Sequence, residues 1–437
     1  MLQIEEILGR SKKQAEKLGI KGCCFLGKSV SYPGGEYEEM GKTYLDIVSP
    51  HCMLVVGKRG TGKSYTLGVL AEGFGNLEKK HRDRVALVIV DTMSVFHSLK
   101  KGNTDQGETQ RMKDFDIEPS SFEDIVRVMV PKIAVKEAEK DGYELFYDQL
   151  LKLKLSDVTV SEWLELFDVK LTEPTGILLQ KVLTGLKDED YSFDDIYTTI
   201  ERISKDEKAV KALRGYFQMM EELRLFSKEG MDSQIAEGGK ITVLDISYLG
   251  RIGNFELRNL IVSIFARKQM AQRTLYTTIE MQAQAGLVDS DTNEDITEEH
   301  PLIYMLIDEA HLFLPNNVET LATGPLIDWI KLGRHPGLSL ILATQEPSAV
   351  HDSAIRQSDL IIAHNLTARD DVAALGMAKQ SYMKNGLDKM VGQMEFRRGL
   401  ALVFDDKTRR TQLCMVRPRH TLHTGIDASA LTAEERC

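Results

Sequence analysis

The sequence predicts an α/β fold in which a mainly parallel β-sheet is covered by helices. Short apolar runs of strand length recur along the chain, and segments with a helical pattern separate many of them. One of these runs leads directly into a glycine-rich octet of the kind that binds phosphate. The predicted strands are Met53–Val56, Val85–Val90, Ile241–Leu244, Leu302–Ile307, Leu338–Ala343, Leu360–Ala363 and Leu400–Phe404.

The composition is that of a globular protein. The 437 residues are 42% hydrophobic and 28% charged, which excludes a disordered polymer and a fibrous repeat. The net charge of −11 means that any contact with nucleic acid must be local. The five cysteines lack the paired spacing of a zinc site or a disulfide framework, which indicates a reducing compartment. Because no signal-peptide pattern or bilayer-length apolar run is present, we expect a cytoplasmic protein without membrane contact.

The octet Gly57–Ser64 matches the phosphate-binding loop, which reads Gly, any four residues, Gly, Lys and then Ser or Thr. Its glycines let backbone N–H groups turn toward phosphate oxygens, and the dipole of the helix that follows adds positive charge there. Lys63 is expected to reach the β- and γ-phosphates of ATP, and Ser64 to ligate Mg²⁺. The predicted nucleotide-binding residues are Gly57, Lys58, Arg59, Gly60, Thr61, Gly62, Lys63, Ser64 and Tyr65.

This loop predicts a P-loop NTPase fold of the RecA-like (ASCE) type, and the chain divides around it. Residues 51–100 and 237–418 hold the predicted strands and form the expected ATPase core. Residues 101–236 contain mainly helical patterns, so a large helical insertion is expected there. Residues 1–50 are a short N-terminal segment, and residues 419–437 are expected to be a polar, peripheral C-terminal tail.

Three stretches of the insertion are predicted to be helical. They are Phe122–Val130, Tyr143–Leu153 and Asp206–Phe226. The charge-rich segments 132–141 and 187–190 are interpreted as solvated faces of such helices and are assigned no function.

Two adjacent carboxylates follow the predicted strand Leu302–Ile307. Asp308 can hold the magnesium ion, and Glu309 can polarise the water that attacks the γ-phosphate. An apolar run that ends in Asp-Glu is a weak signal alone, but the phosphate loop strengthens it. Asp245 and Asp91 follow two other predicted strands and are alternative metal ligands, although strand-end aspartates more often cap the next turn.

Two further polar residues complete the predicted site. Gln345 follows the strand Leu338–Ala343 and could sense the γ-phosphate or orient the water. Arg334 lies in the turn-rich segment Gly333–Gly337 and could complete the active site of a neighbouring subunit. Such an arginine finger contributes about 10³–10⁵ in rate where it has been measured. Without the other motifs, a solvated surface arginine would be the simpler interpretation.

Together these motifs resemble the HerA branch of the HerA/FtsK superfamily of ring-forming ATPases. The resemblance implies a hexameric motor that hydrolyses ATP at subunit boundaries and moves double-stranded DNA through a central channel, often beside the nuclease NurA. The matching blocks are Gly57–Ser64, Ile307–His311, Gly333–Arg334 and Ala343–Ser348, within a likeness that runs from about Tyr44 to Met415.

By position, the resemblance assigns a role to each candidate residue. Lys63 becomes the phosphate lysine, Asp308 the metal carboxylate and Glu309 the catalytic glutamate. Gln345 becomes the sensor, and Arg334 the finger that acts on the neighbouring subunit.

The chain departs from the family in two places. Family members usually carry an N-terminal β-barrel, and only a remnant of it fits before His51. After Asp91 the family commonly has Pro-His-Gly-Glu, whereas this chain has Thr92–Val95. The first departure concerns the docking of a nuclease partner. The second concerns the contribution of the loop after Asp91 to the site.

Two other functions are alternatives. One is a nucleotide-switched scaffold or regulator that presents the helical insertion to protein partners, which the net acidity favours. The other is a DNA packaging or conjugation motor of the same superfamily, which would use the same site residues. DNA contact is predicted at basic residues near the channel side of the sheet, although the two adjacent arginines among them fit a turn equally well. These residues are Arg356, Lys379, Lys384, Arg397 and Arg398.

Overall fold

A β-sheet that has 13 strands among the described residues organises the molecule. The computed structural model describes residues 5–31, 38–186, 190–228, 230, 235–251, 255–287, 300–366, 368–378 and 397–425. The strands are β1 (Glu6–Leu8), β2 (Cys23–Ser31), β3 (Glu38–Asp46), β4 (Cys52–Val56), β5 (Val85–Asp91), β6 (Val126–Pro131), β7 (Gln149–Leu151), β8 (Leu153–Lys154), β9 (Phe226–Ser227), β10 (Ile241–Asp245), β11 (Leu302–Ile307), β12 (Leu338–Thr344), β13 (Leu360–Ala363), β14 (Leu400–Asp405) and β15 (Arg410–Val416). Their order in the sheet is β1-β3-β2-β15-β14-β13-β4-β12-β11-β5-β10-β6-β7, and β8 and β9 form a separate pair.

Helices connect the strands and cover the sheet. They are α1 (Lys12–Leu18), α2 (Lys63–Gly75), α3 (Lys79–Arg82), α4 (Gln106–Asp114), α5 (Lys132–Lys140), α6 (Val160–Leu166), α7 (Pro174–Gly185), α8 (Phe193–Ile203), α9 (Glu207–Glu222), α10 (Ser247–Arg251), α11 (Phe255–Gln284), α12 (Thr323–Leu332), α13 (Asp352–Gln357) and α14 (Arg369–Ala378). Short 3₁₀ turns span Phe96–Lys100, Leu155–Asp157, Ala310–Leu312 and Pro347–Ala349. Among the residues described, none of the helices combines the length and the apolar character that a bilayer crossing requires.

The strands from β13 to β7 pair in parallel, which confirms the predicted α/β fold. All the runs that the sequence predicts as strands are strands, at nearly the predicted bounds. Along β5, Leu87 and Ile89 join the apolar layer on one face, and Val88 and Val90 join the layer on the other. Helices cover both faces, so every residue of β5 and β12 is buried, and both strands are apolar except for Asp91, Ser339 and Thr344.

The other part of the sheet is antiparallel. Strands β13, β14, β15, β2 and β3 pair antiparallel in that order, and β1 adds in parallel to β3. The N-terminal segment 1–50 therefore contributes three strands to the same sheet as the phosphate loop.

Two of the helices predicted for the insertion are wrong. Phe122–Val130 contains most of β6, and Tyr143–Leu153 contains β7, so both segments add strands to the parallel sheet. The valines of β6 alternate with other residues along the run, and β-branched side chains favour a strand on a buried, pleated surface. The third prediction, Asp206–Phe226, is confirmed by α9.

Helices α6 to α9 pack around Trp163. Its ring stacks on Phe167 at 5.1 Å between centroids and meets the edge of Phe217 at 5.2 Å. This aromatic group is continuous with the apolar layer on one face of the sheet. The helical part of the insertion is thereby attached to the sheet.

Candidate functional site

The phosphate loop lies between β4 and α2, at the edge where the parallel strands end, which we call the carboxyl edge. Gly60 and Gly62 have φ values of 75° and 116°, a left-handed backbone that glycine adopts without steric cost. At Gly57 a Cβ would lie 2.6 Å from Thr61 Oγ1 and 2.7 Å from His364 Cβ, so no side chain fits. The conformation of the loop therefore requires its glycines, and the loop brings the N-terminus of α2 to the carboxyl edge.

Lys63, the first residue of α2, interacts with both predicted carboxylates. Burial lowers the pKa of Lys63, while attraction to Glu309 and Asp308 acts to raise it. Burial and the nearby charge of Glu309 raise the pKa of Asp308 to about 6, and Lys63 opposes this rise. The structure thus brings these three predicted residues together in a buried site at the carboxyl ends of β4 and β11.

Ser64 and Asp308 form a donor set for a metal ion. The Ser64 hydroxyl lies close enough to Asp308 to act against the rise of its pKa. Hydroxyl and carboxylate oxygens are hard ligands that suit Mg²⁺, which commonly uses one or two protein ligands together with substrate phosphates and water. Among the described residues no group of three or more His, Cys, Asp or Glu could hold a metal. The residues present fit a magnesium ion that is held jointly with a nucleotide.

Glu309 is held in a strained and partly unpaired state. Its backbone is left-handed, with φ 55° and ψ 56°, which costs a non-glycine residue about 1–2 kcal/mol. Gln345 donates a hydrogen bond from Nε2 to Glu309 Oε1. Glu309 Oε2 lies 3.4 Å from His311 Nδ1 and, within the described structure, is buried without a hydrogen bond. One carboxylate oxygen is thus fixed, and the other is available to a water molecule.

Asp91 and Asp245, the alternative metal ligands, make the contacts of turn caps. Asp91 Oδ2 accepts hydrogen bonds from the backbone N–H groups of Val95 at 2.8 Å and Phe96 at 2.9 Å. Asp245 Oδ2 accepts one from Ser94 Oγ at 2.6 Å. Burial and the adjacent charge of Asp245 raise the pKa of Asp91 to about 7. These contacts agree with the capping interpretation, and a metal role for either residue stays a prediction.

His364 belongs to the site, although the sequence patterns did not indicate it. Its Nδ1 lies 3.1 Å from the carbonyl oxygen of Leu400 and must therefore carry the proton, so that Nε2 accepts a hydrogen bond from Thr66 Oγ1 at 2.8 Å. Burial lowers the pKa of His364 to about 4, so the ring is neutral at physiological pH. His364 packs against the phosphate loop, with its Cβ beside Gly57 and its ring beside Gly62. Its one sequence signal is that it directly follows the predicted strand Leu360–Ala363.

Three side chains near the ends of the predicted nucleotide-binding segment differ in exposure and in hydrogen bonding. Lys58 and Arg59 are exposed in the loop. Tyr65 instead donates a hydrogen bond to Glu108 Oε2 at 2.6 Å and accepts one from the backbone N–H of Arg419 at 2.8 Å. Its hydroxyl group is therefore engaged with the neighbouring segments, whereas nucleotide contact by all three residues stays a prediction.

The last turn of α2 carries a buried ionic cluster. Glu72 lies 2.7 Å from Arg417 NH1 and 3.5 Å from Arg419 Nε, and it accepts a hydrogen bond from Thr421 Oγ1 at 2.7 Å. Burial alone would raise the pKa of Glu72, but the two arginines hold it below its ordinary value. The prediction of a peripheral tail from residue 419 is therefore wrong at its start, because Arg419 and Thr421 are buried. Pairing with a distant carboxylate, which local patterns do not reveal, draws them inward.

Arg334 lies apart from the other predicted site residues. It precedes β12, whereas Gln345 follows the same strand. The seven residues of β12 span roughly 23 Å at about 3.3 Å per residue. Arg334 is exposed, and within the described structure it has no ion pair or hydrogen bond. An arginine at that edge is out of reach of a nucleotide bound to its own chain.

The predicted DNA contacts occupy separate places. Lys379 and Lys384 lie outside the described residues. Arg356 is exposed and forms an ion pair within its own helix. Arg397 and Arg398 are exposed in the turn before β14, which agrees with their interpretation as a turn. Contact of these residues with DNA stays a prediction.

Two family descriptions match overlapping parts of the sequence. Residues 35–268, more than half of the chain, match the family described as "Helicase HerA, central domain". Residues 263–390 match the family described as "Zonular occludens toxin (Zot)". The first segment contains the phosphate loop, and the second contains Asp308, Glu309, Arg334 and Gln345. No curated protein has significant sequence similarity to the chain.

Several solved structures align with most of this chain at low sequence identity. The unbound form of the bacterial conjugative coupling protein TrwB aligns with 13% identity and a TM-score of 0.50 over 91% of this chain and 92% of that chain. Its trigonal form in complex with sulphate aligns with 13% identity and a TM-score of 0.50 over 95% and 96%. VirB4 of Thermoanaerobacter pseudethanolicus aligns with 12% identity and a TM-score of 0.47 over 94% and 98%. The likeness to TrwB shows a shared P-loop NTPase fold, a mostly parallel sheet with flanking helices.

Proposed function

Because the chain belongs to the family of the HerA helicase central domain, we propose that it is an ATP-hydrolysing motor that forms a hexameric ring and translocates or unwinds double-stranded DNA. One observation carries the proposal. Lys63, Asp308 and Glu309 interact at the carboxyl edge of the sheet, whereas the exposed Arg334 lies at the opposite edge. A ring closed by head-to-tail contacts brings these two edges together in neighbouring subunits.

The buried groups suit binding of a nucleoside triphosphate. The Lys63 ammonium group and the backbone N–H groups of the loop would hold the β- and γ-phosphates. Ser64 and Asp308 would hold Mg²⁺, which when bound neutralises charge on these phosphates. The raised pKa of Asp308, about 6, reflects burial beside Glu309, and a bound cation would favour its charged form.

Hydrolysis then depends on the free oxygen of Glu309. Gln345 holds Glu309 Oε1 by a hydrogen bond, which leaves Oε2 to accept a proton from the attacking water. The water oxygen bonds to the γ-phosphorus, and the bond to the bridging oxygen breaks to leave ADP and phosphate. Arg334 of the next subunit would stabilise the charge that develops on the transferred group.

The remaining parts of the proposal concern partners and place. The ring would carry duplex DNA through its channel, with exposed basic residues in contact with the backbone phosphates. A nuclease similar to NurA is proposed as a partner from the resemblance of the motifs alone. A cytoplasmic location is proposed from the composition and the cysteine pattern.

The experiment measures ATP hydrolysis with and without duplex DNA. We expect Lys63→Ala, Glu309→Gln and Arg334→Ala each to lower the DNA-stimulated rate by at least about 10³-fold, since each removes a group that acts on the transferred phosphate. Arg202→Ala, which alters an exposed arginine of α8, is the matched control and should keep the wild-type rate. Mixing Arg334→Ala subunits with Glu309→Gln subunits should restore part of the activity.

Three outcomes contradict parts of the proposal. Full activity of Arg334→Ala would exclude its action on a neighbouring subunit. Absence of nucleotide binding would exclude the motor altogether. Hydrolysis that duplex DNA leaves unchanged at every salt concentration would favour the nucleotide-switched scaffold, because phosphate contacts make DNA binding strongly salt-dependent.

A further inference from the structure

His311 lies beside the carboxylate oxygen of Glu309 that Gln345 does not hold. Both residues belong to one turn, because Glu309 caps the 3₁₀ turn Ala310–Leu312 with its left-handed backbone. His311 Nδ1 is 3.4 Å from Glu309 Oε2 and also 3.4 Å from Thr344 Oγ1. Thr344 ends β12, which pairs with β11. The ends of two neighbouring strands therefore hold the imidazole ring next to Glu309.

Hydrolysis places a proton on Glu309, and this proton has to leave before the next cycle. In the proposed reaction Oε2 takes it from the attacking water. Because Oε2 is buried, the proton has no direct path from it to bulk water. The side chain of His311 is 30% exposed, whereas that of Glu309 is 12% exposed. The ring thus extends from the buried oxygen toward the surface.

The other groups around the Glu309 carboxylate are unsuited to take this proton. Within the described part of the chain they are Gln345, Lys63 and Asp308. The amide group of Gln345 donates a hydrogen bond to Oε1 and has no basic atom. The Lys63 ammonium group already carries its proton, and Asp308 would face the magnesium ion. Imidazole, in contrast, takes up and releases protons near neutral pH.

We propose that His311 receives the proton from Glu309 after each hydrolysis and releases it to solvent. This inference rests on the proposed function. The proton moves from Glu309 Oε2 to the lone pair of His311 Nδ1, which leaves a carboxylate ion and an imidazolium ion. The imidazolium ion then gives a proton to solvent water, so both side chains return to their starting charges. His311 acts through Glu309 and needs no contact with the nucleotide.

The contacts of Nδ1 agree with this direction of transfer. In a neutral ring with its proton on Nε2, Nδ1 is an acceptor, and the Thr344 hydroxyl group lies within reach to donate to it. Nδ1 and Glu309 Oε2 are then two acceptors that face each other, which agrees with the lack of a hydrogen bond at Oε2 in the described structure. A proton on Oε2 makes that oxygen a donor, and a small rotation of the ring shortens the 3.4 Å separation to a hydrogen bond.

The test separates the first turnover from the later ones. In His311→Ala, Glu309 still begins as a carboxylate, so quenched-flow measurements should show a first turnover of normal rate. Later turnovers should be about 10²-fold slower, because proton transfer by a positioned side chain contributes about 10²–10⁴ in rate. The steady-state kcat should fall by this factor, and kcat/KM should change little, because the slow step follows hydrolysis. Calorimetry should give the wild-type affinity for a non-hydrolysable ATP analogue.

Added imidazole tests the chemistry directly. A small base that enters the space left in His311→Ala should take the proton, so later turnovers should accelerate with imidazole concentration at constant pH. Imidazole should leave Glu309→Gln inactive, because no proton reaches a carboxylate there. The matched control is His81→Ala, which removes a partly exposed histidine of α3 and should keep the wild-type rate without imidazole.

A second variant distinguishes a base from a structural contact. His311→Asn keeps a polar group near Thr344 but has no basic atom, so it should be as slow as His311→Ala. It also serves as the test if the alanine variant fails to fold. Wild-type activity of His311→Asn would assign the ring a structural role alone.

Other outcomes overturn the inference and leave the proposed function in place. These are a wild-type rate in His311→Ala, and a slow first turnover that imidazole does not restore. A wild-type protein that binds ATP without hydrolysing it would instead contradict the proposed function, and this inference with it.

Discussion

The two ends of helix α2 differ in how completely their buried charges are paired. At its first residue, Lys63 meets Asp308 and Glu309, and burial acts against the charged form of Lys63 and of Asp308. At its last turn, Glu72 is fully buried between Arg417 and Arg419, whose charges keep it ionised. The first end has a carboxylate oxygen without a hydrogen bond, whereas both oxygens of Glu72 are bonded.

This difference separates a site from a structural cluster. Groups with shifted pKa values and incomplete pairing mark places where a ligand can complete the interactions. A closed cluster has no such place, and removal of one member leaves the others buried and uncompensated. We therefore expect the first end to determine catalysis and the second end to determine stability.

The first prediction compares a Glu-to-Gln substitution at each end of α2, and the largest expected effect is that of Glu72→Gln. Glu72→Gln should lower the free energy of unfolding by about 3–5 kcal/mol, because it leaves two buried arginines without their carboxylate. Glu309→Gln should change the free energy of unfolding by less than about 1 kcal/mol, because Glu309 Oε2 has no hydrogen bond to lose. Urea unfolding of both variants, monitored by circular dichroism, measures the two values.

Hydrolysis should follow the reverse order. Folded Glu72→Gln protein should hydrolyse ATP, and Glu309→Gln should not. Equal destabilisation by the two substitutions would show that the two ends of α2 do not differ in the way we describe.

The second prediction concerns the pH dependence of stability, which should have opposite signs for the carboxyl edge and for the last turn of α2. Asp308 and Asp91 have pKa values of about 6 and about 7, raised from 3.8. Their folded forms hold protons that the unfolded chain releases, so their contribution to stability falls as the pH rises from about 4 to 7. The pKa of Glu72 is lowered, so its contribution is lost as the pH falls below its ordinary value of 4.5.

The variant Asp245→Asn isolates the carboxyl edge. It removes the neighbouring charge that raises the pKa of Asp91, and so should reduce the fall in stability between pH 4 and pH 7 by about 1–2 kcal/mol. Thermal and urea unfolding of nucleotide-free protein across this range measure the change. An unaltered pH profile would show that the two aspartates do not interact.

The smallest effect is expected at Tyr65, which lies between the two ends. Tyr65→Phe removes the hydrogen bonds to Glu108 and to the backbone of Arg419 and should cost about 1 kcal/mol of stability. Because the hydroxyl group is already engaged there, nucleotide affinity measured by calorimetry should stay at the wild-type value. A large loss of affinity would instead indicate that the hydroxyl group turns toward the nucleotide.

Local patterns predicted the parts of the fold that local physics determines. Strands that are apolar on both faces, such as β11 and β12, are readable because helices cover both sides of a parallel sheet. A helix was predicted at Phe122–Val130 although the valines of Val126–Pro131 alternate, because a run of six residues is too short for its period to decide between helix and strand. The same limit applies to Gln149–Leu151, a strand of three residues.

The residues of the candidate site likewise divide into those that local patterns predict and those that they do not. Lys63, Asp308 and Glu309 occupy fixed positions in motifs, and the structure gathers them. His364 and the partners of Glu72 depend on contacts between distant parts of the chain, which a single sequence does not display. The left-handed backbone of Glu309 likewise arises from the turn after β11 and not from its residue type.

The pairing of Glu72 also has a consequence for synthesis. Arg417 follows Glu72 by 345 residues, which at about 5–20 residues per second takes a ribosome roughly 20–70 s. During that interval the phosphate loop and α2 have been synthesised. The two arginines that pair with Glu72 have not. The first part of the chain therefore cannot complete this buried cluster before the last part is synthesised, and folding is complete only when both have left the ribosome.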